Sequence, residues 1–273
     1  MAVKLRAQYY EQFDADYSME VPAEAFGGWQ SAELEIALEH SAVLVMHAWE
    51  TGTIKKYPGW YRQVEYLARA KDICRNIFPK LLPAVRDSGM KLFHVVGDGN
   101  YYQNHPGYTK TIQLAGSAPA PPEQIGSDLV LEELRDFKKR LGRHNAEDIR
   151  KGFKHLNFAK EAKPIGNESI AENSHQLFAL CKQHAVNHLI YTGFALNWCL
   201  LLSPGGMMDM NKHGIMCSVI RQAVTAVENK ETARQQVCKQ TALWRVALAF
   251  GYVFDVDDLI AAIANNRNHS SRC

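Results

Sequence analysis

The stretch that decides the fold is His188-Leu-Ile-Tyr-Thr-Gly-Phe-Ala-Leu-Asn-Trp-Cys-Leu-Leu-Leu202. Its first four residues are apolar and β-prone and predict a buried strand. Gly193 closes that strand, a tight turn follows, and Cys199 falls at the expected start of a helix. A thiol in that place meets backbone N–H groups and the positive end of a helix dipole, both of which favour the nucleophilic thiolate. The amides of the same turn could hold an oxyanion. The competing reading makes Cys199 a small buried hydrophobe, because free cysteine is among the most buried residue types.

Working outward, the same strand-and-helix alternation recurs. Residues 41–46 (Ser-Ala-Val-Leu-Val-Met) form a short apolar run that reads as a strand covered on both faces. Residues 62–88 show helical spacing and stop at Gly89, and residues 91–96 read as a second strand. A helix over 174–184, strands over 188–191, 214–220 and 252–254, and helices over 232–250 and 257–264 complete the pattern. The expected architecture is α/β: a doubly wound parallel sheet with helices on both faces. Residues 1–40 are aromatic-rich and broken by Pro22 and Gly27-Gly28, so they are expected as an irregular arm on the core or on a second subunit. One domain spans 41–264, with an insertion around 110–150, and residues 265–273 form a polar tail. The alternating charges of 128–151 suggest a solvated helix.

Composition narrows the function classes. The chain has 273 residues and 47% hydrophobic residues, enough for a sizeable core without disulfides. Its 31 basic and 29 acidic residues leave a net charge of +2, which offers no basic excess for nucleic acid or an anionic membrane. No apolar run reaches the ~20 residues of a membrane span, and the first residues do not read as an export signal. Six cysteines without a CxxC pair suggest reduced thiols in a cytoplasm.

Gly193-Phe-Ala195-Leu-Asn-Trp-Cys199-Leu resembles the nucleophile turn of the isochorismatase-like cysteine hydrolases, whose pattern is Gly-x-Ala-Thr-x-x-Cys-Val. Leu196 stands in place of the usual threonine. Residues 41–46, 89–96 and 213–220 are similar to the family's strands, so the resemblance covers roughly residues 41–260. It implies a six-stranded parallel sheet, a Cys-Asp-Lys triad that hydrolyses amides or related C–N and enol-ether bonds, and no cofactor. It also implies a non-proline cis peptide near Phe194-Ala195. The cysteine carries over to Cys199, with the amides of Ala195 and Cys199 as oxyanion donors. Phe194, Asn197 and Trp198 fall in the same turn. The partners depart from the pattern: His47 stands in the place of the aspartate. Pro164-Ile-Gly166-Asn-Glu168 resembles the turn before the lysine, which puts Glu172 near the lysine's place, and the nearest lysine, Lys163, precedes that turn.

Two conclusions stay open. In one, His47 deprotonates Cys199 and a carboxylate, Glu172 or Glu50, orients it; Cys-His-acid is a known solution for activating a thiol. In the other, the partners are lost and the protein binds a small molecule or assembles with partners. Trp49 and Trp198 could wall a planar ligand. Asp98 and His105 lie beyond the second strand, but their spacing does not suit a metal site. No GxGxxG fingerprint supports a nucleotide-binding oxidoreductase. A small-molecule substrate and a homo-oligomer, dimer or tetramer, are expected.

Overall fold

A computed structural model describes the backbone over residues 2–137, 142 and 145–270, and side chains over 2–135, 142 and 145–265. The strands are β1 (Ala2–Glu11), β2 (Gly28–Ala37), β3 (Ser41–Met46), β4 (Trp49–Glu50), β5 (Lys91–Val95), β6 (Asn157–Phe158), β7 (Ser169–Ala171), β8 (His188–Phe194), β9 (Met216–Thr225) and β10 (Val253–Phe254). The helices are α1 (Pro58–Gln63), α2 (Leu67–Asn76), α3 (Phe78–Ser88), α4 (Pro106–Ala115), α5 (Leu129–Phe137), α6 (Ala146–Phe153), α7 (Ser174–Gln183), α8 (Met207–Lys212), α9 (Val237–Ala249) and α10 (Val256–Ser270).

The main sheet has the order β2-β1-β10-β9-β8-β3-β5-β7. Six strands, β10 to β7, run parallel, and β1 joins β10 antiparallel. The central strands β3 and β8 are buried along their whole length, as continuous apolar runs in a parallel sheet should be. One face carries Val43, Val45, Ile190 and Phe194 beneath Phe78, Leu81, Leu82 and Val85 of α3 and Leu259 and Ile263 of α10. The other carries Leu44, Met46, Leu189, Tyr191 and Val219 beneath Leu177 of α7, Met207 and Met210 of α8, and Leu243 and Val246 of α9. Burying one such side chain stabilises by about 1.5–3 kcal/mol.

Three stretches differ from expectation. Residues 2–37 are not irregular: β1 and β2 form a ten-residue hairpin in full register from Ala2↔Ala37 to Glu11↔Gly28, so the sheet has eight strands. The helix expected over 62–88 is three helices, because Val64 turns extended and Pro79 and Pro83 need fresh starts. The expected tail begins in helix, since α10 continues to Ser270; residues 271–273, with Cys273, lie outside the described residues, as do 138–141 and 143–144 of the charged stretch and Met1. Among the described residues, no helix is long and apolar enough to cross a membrane.

Candidate active site

The carboxyl ends of β3, β5, β7 and β8 lie side by side. Met46 pairs with both Gly193 and Val95, and the Val96 amide donates to the Ala171 carbonyl at 2.9 Å. His47, Gly97, Glu172 and Phe194 therefore stand in a row along one edge. Residue 193 must be glycine. Its φ is +107°, and a Cβ there would lie 1.9 Å from the Met46 carbonyl oxygen.

Beyond Gly193 the Phe194–Ala195 peptide is cis. The Ala195 carbonyl then accepts from the Trp198 amide at 3.2 Å and the Leu200 amide at 3.1 Å, closing one wide π-turn over Leu196–Leu200. Cys199 sits in this turn, half-buried. The chain breaks at Ser203–Gly206 before α8 starts, so the long helix expected behind the thiol is a single turn, with a correspondingly small dipole. Asn197 faces the next strand's exit: its Nδ2 donates to the Val227 carbonyl at 2.8 Å, and its Oδ1 accepts from the Val227 amide at 2.9 Å. That pair of bonds anchors the turn. Trp198 is 51% exposed at its rim.

The thiols divide by burial. Cys74, Cys181 and Cys217 are buried, and loss of hydration pushes each up to about 12. Cys199 and Cys238 are the half-buried pair among the described residues. Tyr66 neighbours Cys199: burial first, and then the charge of the Cys199 thiolate, raise its phenol.

His47 follows β3 with φ +50°. Its ring stacks on Trp49, with centroids 4.7 Å apart, and the Trp49 indole N–H donates to the Tyr101 hydroxyl at 2.8 Å. Burial pushes His47 down to about 4, against a smaller opposing hydrogen bond to the Val96 backbone. Its Nε2 faces Gly97, where a Cβ would lie 3.1 Å away. Its Nδ1 is buried with no partner, and so is the Nδ1 of His94 on β5. Both rings line a cavity of about 10 Å³ between Tyr101 and Phe158, room for about one water. No hydrogen bond joins His47 to Cys199.

Glu172, at the end of β7, accepts hydrogen bonds from the hydroxyls of Tyr102 and Tyr108. Glu50 accepts from the Gly52 amide at 2.7 Å and pairs with Lys71 at 3.7 Å. Neither carboxylate is bonded to His47. Asp98 is exposed after β5, and His105 caps α4 by accepting from the Gly107 amide. Among the described residues, no three His, Cys, Asp or Glu side chains converge as metal ligands would. The carbonyl of Lys163 accepts from Arg86, whose guanidinium also binds Glu168; His94 completes that buried cluster at 3.0 Å. The strand-end edge thus gathers Cys199, Phe194, Ala195, Asn197 and Trp198 in one turn, and holds His47 with Trp49 and Glu172 with its tyrosines as separate groups. Tyr66, Tyr102 and Tyr108 are the residues that sequence reasoning missed. Tyr102 lies in the segment beyond the second strand where a site was expected; nothing in the spacing marks Tyr66.

Neither a family model nor a curated protein sequence matches the chain. Solved structures do. A cysteine hydrolase from Pseudomonas syringae pv. phaseolicola 1448A is similar over 84% of this chain and 95% of its own, with 15% identity and a TM-score of 0.50. An isochorismatase-like hydrolase from Alkaliphilus metalliredigens is similar over 82% and 98%, with 16% identity and a TM-score of 0.46. An isochorismatase family protein from Burkholderia thailandensis is similar over 83% and 96%, with 12% identity and a TM-score of 0.45. The chain has the isochorismatase-like cysteine hydrolase fold. Within that fold Cys199 occupies the turn after β8, and the edge of strand ends that His47 and Glu172 share with it is where a doubly wound sheet places its ligands.

Proposed function

We propose that this isochorismatase-like chain is a hydrolase of a small amide, carbamoyl or related C–N or enol-ether substrate, with Cys199 as nucleophile. The carrying observation is the half-buried Cys199 thiol at the strand-end edge, where Cys74, Cys181 and Cys217 are sealed in the core. For an amide, Sγ attacks the carbonyl carbon, and the amides of Ala195 and Cys199 hold the oxyanion. The C–N bond breaks and the amine leaves with the thiol proton. Water then cleaves the thioester and returns the proton to sulfur. Trp198 walls the substrate at the rim. The protein works without a cofactor, in a reducing cytoplasm that keeps its thiols free, and as a homo-oligomer.

One observation favours a second reading, a ligand-binding member without turnover: the side chains in the two partner places are engaged elsewhere, His47 under Trp49 and Glu172 between two tyrosines. One experiment separates the two. Iodoacetamide labelling is followed at Cys199 and Cys238 across pH by peptide mass spectrometry, alongside a panel of small amides with the wild type and C199S. Labelling of Cys199 ahead of Cys238, with turnover that C199S abolishes, supports the hydrolase. Labelling without turnover selects the binding member. An inert Cys199 overturns its role in either.

A further inference from the structure

Next to the nucleophile turn, β9 carries a wide bulge. Tyr191 of β8 pairs with Val219, yet Gly193 pairs with Val224, so five steps on β9 answer two on β8. Bulges re-aim side chains and recur beside active sites. This one turns residues 220–223 toward a cavity of about 530 Å³ between α2 and the start of α9. Arg69, Gln222, Thr225, Gln236 and Lys239 supply its polar lining.

The charges around this cavity do not balance locally. Three carboxylates face it or its walls, and each is engaged. Glu65 pairs with Arg69 at 2.8 Å. Asp72 accepts from Asn76 at 2.7 Å. Glu228 accepts from the amides of Cys238 and Lys239, and so already caps α9. Two cations are left over. Half-buried Lys239 has no side-chain hydrogen bond or ion pair among the described residues. Arg221 lies over the Trp29 ring, and its Nε is buried and unpartnered. Burial, and then the charges of Arg221 and Arg69, lower Lys239, the mark of a cation short of a counter-charge. Three donors remain available toward the cavity: the Lys239 ammonium, the Gln236 amide, and the hydroxyl hydrogen of Thr225, whose oxygen accepts from Arg69 at 3.0 Å.

The cavity adjoins the thiol's turn. Thr225 pairs with Phe194, Val227 is clamped by Asn197, and Tyr66, beside Cys199, precedes α2, the helix that carries Arg69.

We propose that this cavity binds an oxyanion group, carboxylate or phosphate, of the molecule on which Cys199 acts, held by Lys239, Thr225 and Gln236. The substrate class is then an anionic amide or carbamoyl compound. The inference rests on Cys199 being the reacting thiol.

Two alkylating reagents of nearly equal size test it, iodoacetate with a carboxylate and iodoacetamide without. The readout is the ratio of their rates at Cys199, which cancels changes in the thiol itself. The expected result is a ratio that falls about fivefold in K239Q, stays near wild type in K239R, and falls with added salt. A ratio unchanged in K239Q overturns the proposal. Should Cys199 react with neither reagent, the nucleophile reading fails by itself and the site is read by melting temperature. Succinate or inorganic phosphate should then raise the wild-type value by several degrees and leave K239Q unmoved. A rise with succinate alone marks a carboxylate site, and with phosphate alone a phosphate site. No rise with either overturns the inference.

Discussion

At the scale of single residues, His47 shows how one substitution redirects chemistry. An aspartate at the end of β3 would be charged and would need solvent or a cation. The imidazole there is neutral, stacked on Trp49, with its free nitrogen turned to a small internal cavity. His47→Ala should therefore leave the alkylation rate of Cys199 at neutral pH within about twofold, measured by peptide mass spectrometry; a tenfold drop would restore His47 as the base. The same burial has a consequence for stability. His47 and His188 are both pushed down to about 4 by burial. Above pH 6.5 both are neutral, folded or unfolded, and their contribution is complete. As pH falls below 6.5 the unfolded chain takes up protons that the folded chain refuses, and stability is lost progressively toward pH 4. Each group costs about 2 kcal/mol at pH 5 on this arithmetic. Urea midpoints at pH 7 and pH 5 should show the loss, and His188→Asn should lessen it by about that amount. The nucleophile turn was legible in the sequence because Gly193 and Cys199 keep a recognisable spacing. The separation of His47 from Cys199 was not, because it depends on a ring orientation set by Trp49 and on a backbone with φ +50°.

At the scale of elements, β3 and β8 were readable because burial on both faces demands unbroken apolar runs. The hairpin was missed although its signal is present. Val3, Leu5 and Ala7 are buried and alternate with exposed Ala2, Lys4 and Arg6, and Leu34 and Ile36 alternate with exposed Glu33 and Glu35. The aromatic clusters around that period-2 pattern drew attention away from it. The three-residue strand β7 is too short to leave a periodic trace. The hairpin also has a job in the sheet: β1 takes up the antiparallel edge of the two-residue strand β10. Deleting residues 2–37 should expose that edge and the apolar surface beneath Val3 and Leu5, and give aggregates by light scattering. A truncated chain that stays monodisperse and keeps its circular dichroism would show that the hairpin is an addition to the sheet and not a cover for it.

At the scale of the whole molecule, the sheet has a protected middle and dependent margins. Backbone amides of β3 and β8, sealed on both faces, should exchange with deuterium last, and those of β2, bonded on one side only, first. Uniform exchange across the sheet would mean that it opens as a single unit. The strand order also sets a timetable. β1 is among the first segments to leave the ribosome, and its neighbour β10 follows about 250 residues later. At roughly 5–20 residues per second, the nascent hairpin waits about ten to fifty seconds with its apolar side uncovered. Through that interval the growing chain offers a natural landing place for a chaperone.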